Sequence, residues 1–211
     1  MSGEGWRHHV TSWWRARSIR QMVLMAGAVL LLVSGLFGGL RDAPAEAAVP
    51  LVVGKPHEAA PFTLTVERAR WTSDLGEIAK TDRGRYLIVI VKVRTDADRS
   101  VDLSTLQEAL ALRGAKGIYA AMGGDKIVPS LEVTPSVYVL ADGTPMSALP
   151  PGLTYELVYI WEQRGSEPVP ERLKLASRSH TWRQSSLDEQ MNWFDPTVDA
   201  VGTVPLIEAK P

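Results

Sequence analysis

The sequence predicts an all-β sandwich domain that follows a single membrane-spanning helix. Residues 22–40 form an apolar run without a charged side chain, and its length fits the hydrocarbon core of a bilayer. Beyond residue 61, six or more short segments alternate apolar and polar residues, with turn residues between them. No long amphipathic helix interrupts these segments, so we expect two β-sheets packed face to face.

Composition narrows the classes of function. The formal net charge of -1 lacks the basic footprint of a nucleic-acid-binding protein. The chain has no cysteine, which excludes disulfides, a thiol nucleophile, a thiolate metal site and a lipid-modified cysteine anchor. Of the 211 residues, about 170 lie beyond the apolar run, and that length suffices for one domain with a hydrophobic core.

The N-terminal part predicts both the anchor and its orientation. Residues 1–21 are expected to be a basic cytoplasmic segment, and residues 22–40 a transmembrane helix. This segment contains one acidic residue, Glu4, and four arginines: Arg7, Arg15, Arg17 and Arg20. Charges after the run are balanced, so the positive-inside rule places the N-terminus in the cytoplasm. We therefore expect a single-pass protein of the cell membrane whose C-terminal domain is extracytoplasmic.

A cleaved signal peptide is the alternative to this anchor. Residues 43–45 (Ala-Pro-Ala) and 45–47 (Ala-Glu-Ala) both fit the small-x-small pattern of a cleavage site. The apolar run is longer than the roughly 7–15 residues of a signal-peptide core, which favours the uncleaved anchor. Residues 41–61 are rich in alanine and proline, and we expect them to be a linker.

Residues 62–211 are predicted to form the sandwich, and three segments define its strands best. Residues 62–66 alternate with a period of two, and a shift of the apolar positions predicts a β-bulge around Glu67 and Arg68. Residues 86–93 are apolar on both faces, which predicts a central strand covered on both sides. Residues 153–162 alternate over a longer stretch and are expected to form a late strand.

Weaker patterns complete the predicted domain. We expect further strands at residues 101–103, 109–113, 137–140 and 172–176. Ser104 is expected to cap a single helical turn, and Ser185 or Ser186 to cap a short helix. The tail after these serines keeps many apolar residues, so we expect it to pack back onto the sandwich.

Three stretches carry a resemblance to a known family: VGKP before the first strand, GRYLIVIVKVRTDADRSVDLS around the central strand, and LPPGLTYELVYIWE around the late strand. Over about residues 52–176 the chain resembles the immunoglobulin-like domain of exported Gram-positive and actinobacterial proteins of unknown function, related to a mycobacterial secreted antigen. The resemblance implies an immunoglobulin-like antiparallel sandwich on a membrane anchor, and it transfers no catalytic residue. The chain differs from the family in Asp96, where asparagine is frequent, in lacking a lipid-attachment cysteine, and in its additional segment from His180.

Serine hydrolysis is the catalytic hypothesis that the sequence offers. His180, Ser185, Ser186 and Asp188 lie within nine positions and supply the residue types of a catalytic triad. The G-x-S-x-G elbow is missing, and triads are seldom assembled from neighbours in sequence. A polar connector after a strand explains the same residues, so we expect no enzyme.

Metal and cofactor sites are also not indicated. Asp96, Asp98 and Asp102 have the spacing of part of a calcium loop but lack the glycine of an EF-hand, so a polar hairpin turn is favoured. Among the histidines only His8 and His9 are adjacent, which leaves no zinc pattern. We expect no metal and no cofactor.

The exported tryptophans are the candidate binding residues. Trp161 lies on an inward-facing stripe and is expected in the core. Trp182, Trp193 and Phe194 form a candidate binding patch, with packing in the core as the alternative. We therefore expect a non-catalytic interaction or accessory module whose partner is a membrane or cell-envelope protein. An accessory subunit of a membrane transport complex and a cell-surface serine hydrolase are the alternatives.

Overall fold

The computed structural model describes residues 23–24 and 48–209. Residues 48–209 belong to one compact unit. Within the described residues, no helix is long and apolar enough to cross a membrane. The predicted cytoplasmic segment and, apart from two helical residues, the predicted anchor lie outside the described residues.

The unit is built almost entirely of β-strands. The strands are β1 (Val49–Pro50), β2 (His57–Ala59), β3 (Phe62–Thr72), β4 (Gly84–Thr95), β5 (Val101–Asp102), β6 (Leu110–Arg113), β7 (Ile118–Tyr119), β8 (Ile127–Val128), β9 (Ser136–Val139), β10 (Ala148–Leu149), β11 (Thr154–Arg164), β12 (Arg172–Gln184) and β13 (Met191–Glu208). One short helix, α1 (Leu103–Glu108), and one 3-10 turn (Ser130–Glu132) interrupt them within the described residues.

Two layers form the sandwich. In the first, β3, β4 and β11 pair antiparallel, and β7, β9 and β2 add short pairings at their sides. In the second, β6, β12 and β13 pair antiparallel, and β1 lies parallel to β13. The last residues of β13 pair parallel with β3, so this one strand joins the two layers.

Apolar side chains from both layers meet in one core. β11 contributes Leu157, Tyr159 and Trp161, and the opposite layer contributes Leu112 and Leu175, all nearly inaccessible to solvent. The hydroxyl of Tyr159 donates a hydrogen bond to the carbonyl of Leu106 at 2.8 Å, which satisfies the polar end of a fully buried ring. Burial raises the pKa of Tyr159.

The central strand is covered on both faces, as its sequence predicts. Leu87 and Val89 of β4 belong to the main core, whereas Ile88 and Ile90 belong to a second cluster on the other face. The predicted bulge is also present, since the β3–β4 register shifts between Val66 and Arg68.

The folded unit begins earlier than the sequence indicates. Strands β1 and β2 both lie within residues 41–61, which were expected to be a linker. Leu51 is buried, and its N–H donates a 2.8 Å hydrogen bond to the carbonyl of Val201. The alanine- and proline-rich composition hid this pairing because β1 is held by a strand 151 residues further along the chain.

Two helix predictions were wrong in detail. The N-cap of α1 is Asp102 rather than Ser104, and its carboxylate accepts the N–H of Thr105 at 2.9 Å. Residues 185–190 form a turn instead of a short helix, with the Ser185 hydroxyl oxygen accepting the N–H of Leu187. The tail beyond this turn does pack back, and it does so as β13, an 18-residue strand.

Candidate binding site

The far ends of β12 and β13 form a two-stranded arm. Strand β6 pairs with β12 only as far as Ser177, and β12 continues to Gln184. In the part of β12 that extends past β6, residues 181–184 pair with residues 191–194 of β13. We call residues 181–195 the arm. All three residues of the predicted binding patch lie in it.

The two tryptophans of the arm form a cross-strand pair. Trp182 lies directly opposite Trp193, and their ring centroids are 5.1 Å apart with an interplanar angle of 52°. Both rings are half-buried, and the guanidinium of Arg99 lies 5.4 Å from the centroid of Trp182. Trp193 packs against the edge of the main core. The pair therefore fixes the arm to the sandwich and still exposes aromatic surface.

Phe194 lies on the other side of the arm. Neighbouring residues of a strand point to opposite faces, so Phe194 faces away from the tryptophan pair. The guanidinium of Arg183 lies 4.6 Å from its ring centroid, and Arg183 also binds the two carboxylate oxygens of Asp195 at 2.6 and 3.0 Å. The predicted patch is thus two aromatic surfaces on one arm.

The tip of the arm presents an apolar side chain to solvent. Leu187 is 96% exposed, and Met191 beside the turn is 44% exposed. The turn itself is ordered by hydrogen bonds: the N–H of Ser185 donates to the carbonyl of Gln190 at 2.8 Å, and the side-chain amide of Gln184 donates to the carbonyl of Glu189 at 3.0 Å. Leu187 therefore stands on a structured turn.

A groove of about 390 Å³ lies at the base of the arm. Trp193 lines the groove together with Pro61, Ala97 and Phe62, of which Phe62 is a buried residue of the main core. The carboxylates of Glu58 and Asp96 line the same groove, and Asp96 is paired with Arg94. The groove combines aromatic surface with acceptors, which suits an amphipathic segment of a partner.

His180 lies buried where the arm begins. Its side chain is 1% exposed, and its Nε2 atom lies 3.4 Å from a carboxylate oxygen of Glu108. Burial lowers the pKa of His180, and the neighbouring Glu108 carboxylate partly opposes this. Neither Ser185 nor Ser186 forms a hydrogen bond with His180 among the described residues, so the structure does not bring together the residues of the triad hypothesis, which the sequence disfavoured.

The three aspartates considered for calcium have separate partners. Asp96 pairs with Arg94, Asp98 with Arg99, and Asp102 caps α1. In the described part of the chain, no group of three or more histidine, aspartate or glutamate side chains is placed to hold a metal ion.

Sequence reasoning missed the tip residue and the cations of this site. Leu187 is the one apolar residue in the polar stretch 184–190. This pattern could have identified it as an exposed leucine. Arg99 lies in the β4–β5 turn, and its contact with Trp182 joins segments more than eighty residues apart, which no local pattern reveals.

The arm and the two-layer architecture define an all-β sandwich protein with an exposed aromatic hairpin. No family model matches the chain, and no curated protein matches it. Among solved structures, the chain is similar to an uncharacterized β-sandwich protein from Clostridium difficile 630, with 9% sequence identity and a TM-score of 0.47. The match covers 78% of this chain and 97% of that one.

Proposed function

We propose that the protein is a non-catalytic binding module, tethered to the outer side of the cell membrane by residues 22–40, whose arm docks into another membrane or cell-envelope protein. The observation that carries this proposal is Leu187, 96% exposed at the tip of the arm. A single exposed apolar side chain is common on protein surfaces, and it marks an interaction site here because the same arm also carries the exposed Met191 and the half-buried tryptophan pair.

The remainder of the arm supports the same function. Binding hot spots are enriched in tryptophan and arginine, and the arm carries both, in Trp182, Trp193 and Arg183. The tryptophan pair is held by the core edge and by Arg99, so little side-chain freedom is lost on binding. The partner surface that fits is an apolar pocket for Leu187 with an aromatic or acidic rim for Arg183, the arginine of the arm.

The finer fold assignment belongs to the same proposal. We propose that the sandwich is a variant of the immunoglobulin-like fold of exported Gram-positive proteins that the sequence resembles. Support comes from the two antiparallel layers and from Trp161 buried between them. The parallel pairings of β13 with β1 and β3 are additions to that fold.

Site-specific photo-crosslinking in living cells tests the docking role. A benzoylphenylalanine at position 187 of the full chain is expected to give one major light-dependent adduct with a membrane or envelope protein. Ile207 is a matched control, because it is also an exposed apolar residue of β13, at 64% exposure, but lies outside the arm. The position-207 variant is expected to give no such adduct.

A second substitution links the adduct to the arm. Met191→Asp places a charge beside the tip, and we expect it to abolish the adduct from position 187 without unfolding the domain, because Met191 is itself exposed. Identical adducts from positions 187 and 207, or no adduct from 187, would refute the docking role. Mass spectrometry of the adduct decides whether the partner is a subunit of a transport complex.

A further inference from the structure

The outer face of the second layer carries a groove of about 630 Å³ that the arm does not use. Strands β6, β12 and β13 line it, through residues that include Arg113, Lys174, Val201 and Thr203. Leu131, from the 3-10 turn, forms one wall and is 39% exposed. No carboxylate is among the lining residues.

The groove brings like charges together. Lys174 lies directly opposite Arg113 across the β6–β12 pairing, an arrangement that is destabilising without an anion. Arg172 and Arg178 lie two and four residues away from Lys174 on the same side of β12, and Arg178 donates a 3.0 Å hydrogen bond to the carbonyl of Leu131. We call these four residues the basic face.

The basic face is not neutralised by the rest of the domain. None of its four cations forms an ion pair with another described residue, whereas other surface cations of the domain, such as Lys80 and Arg164, do. Glu132 and Glu171 neighbour this face in sequence, and neither is within ion-pair distance of it. The face therefore presents uncompensated positive charge to solvent.

Exposed apolar residues border the basic face. Strand β1 lies against Ala200 and Val201 of β13, and Val201 lines the groove. The side chains of Val49, Val52 and Val53, in and just after β1, are 50%, 44% and 38% exposed. Cations beside partly exposed apolar side chains are the composition of a surface that lies on a membrane interface.

The chain reaches the domain at this same place. The first strand, β1, begins at Val49 beside the groove, and the predicted anchor ends at residue 40. An extended chain rises at most about 3.3–3.6 Å per residue, so the few residues between them span no more than about 30 Å. A tether of this length, on the proposed anchored function, keeps the basic face within reach of lipid headgroups.

We propose that the basic face is a docking surface for anionic lipid headgroups of the membrane to which the chain is tethered. Clusters of lysine and arginine next to a membrane anchor attract anionic lipids, and tethering raises the local concentration of those lipids. The proposal rests on the proposed anchored function. An acidic protein is the other class of partner for such a face, and the test separates the two.

The absence of cysteine makes a direct test possible. Thr203→Cys places the sole cysteine of the full chain in the groove, where it takes one fluorophore. The labelled chain is reconstituted into phosphatidylcholine vesicles with or without phosphatidylglycerol, together with a lipid that carries a nitroxide quencher on its headgroup. We expect quenching to rise several-fold with phosphatidylglycerol and to fall again at high salt.

Two control chains make the result specific. Arg113→Glu with Lys174→Glu is expected to abolish the phosphatidylglycerol-dependent quenching. Arg68→Glu with Lys126→Glu changes the net charge equally at exposed positions outside the groove. This chain is expected to keep the phosphatidylglycerol-dependent quenching. A label at Ala141→Cys, in the exposed turn after β9, reports whether quenching is confined to the basic face.

Each outcome has a defined meaning. Equal quenching with and without phosphatidylglycerol, or equal loss in both charge-reversal chains, overturns the lipid proposal and leaves an acidic protein as the class to test. A chain that an alkaline carbonate wash removes from both kinds of vesicle instead overturns the anchored function on which the proposal rests. Circular dichroism of the reversed chains excludes misfolding as the cause of a loss.

Discussion

Glu162, at the end of β11, is a buried carboxylate held by several donors. Its side chain is 1% exposed and accepts hydrogen bonds from the Arg83 guanidinium at 2.9 and 3.0 Å, from the Thr81 hydroxyl at 3.0 Å and from the Gly123 N–H at 2.8 Å. Burial alone would raise the pKa of Glu162, but these donors outweigh it and the pKa is lowered. The ionised carboxylate therefore fastens two loops to β11.

Replacing this carboxylate is expected to destabilise the domain. Glu162→Gln leaves Arg83 without its buried partner, and we expect a loss of about 2–3 kcal/mol at neutral pH, measured by urea unfolding. Asp125→Asn is the matched control, because Asp125 binds the same guanidinium but is 99% exposed, and we expect it to behave like the original protein. Equal losses in both variants would show that burial is not the reason.

The same residue predicts a dependence on pH. A carboxyl group with a lowered pKa in the folded state stabilises the fold above its unfolded pKa of about 4.3, and this stabilisation is lost as the pH falls through the lower folded value. The difference in unfolding free energy between the original protein and Glu162→Gln should therefore shrink below about pH 4. A difference that stays constant down to acid unfolding would contradict this origin.

At the scale of elements, the pattern of apolar and polar residues predicts two kinds of strand well: those with one apolar face and those with two apolar faces. β3, its bulge, β4 and β11 follow from the period of two and from the shift of apolar positions. β13 was expected only as a packed tail. Its apolar residues do not alternate evenly, because its register with β12 shifts twice and it then changes partner to β3. Such pairing between distant segments leaves no local pattern.

The candidate site could also be predicted where it depends on local sequence, and not where it depends on pairing between distant segments. The sequence indicates Trp182, Trp193 and Phe194 as candidate binding residues because large aromatic side chains are frequent in binding hot spots, and all three lie in the arm. Their division between two faces depends on strand register, which the sequence did not reveal because the strand β13 was not recognised. The basic face was missed for a related reason: Arg113 and Lys174 lie sixty-one residues apart and meet only through the β6–β12 pairing.

Strand β1 provides the test at this scale. A Cβ atom at Gly202 would clash with the carbonyl oxygen of Leu51, so the backbone at the end of β1 would have to move. We expect Gly202→Ala to detach β1, expose Leu51 and cost about 1–3 kcal/mol of unfolding free energy. Limited proteolysis should then cleave near residues 49–53. Thr203→Ala, at the exposed neighbouring position, should do neither.

At the scale of the whole molecule, β12 and β13 carry both proposed interaction surfaces. Residues 172–178 of β12 contribute three of the four cations of the basic face, and residues 181–184 begin the arm. The carboxyl half of β13 lines the groove, and its first residues complete the arm. One long strand pair thus links a surface proposed for lipid to a surface proposed for a protein, so a partner at the membrane is the simplest target for the arm.

This arrangement requires that the anchor remain attached, which is the last prediction. Residues 22–40 contain no charge, so under the proposed anchored function withdrawing this apolar segment from lipid is very costly, and the positive-inside rule places the preceding arginines in the cytoplasm. Cells that make the C-terminally tagged chain should therefore retain it, at full length, in the membrane pellet after carbonate extraction. A chain that lacks residues 22–40 is the control and should leave the pellet. N-terminal sequencing of a released species that begins at Glu46 or Ala48 would instead identify a cleaved signal peptide and a secreted domain, for which lipid docking next to a tether has no basis.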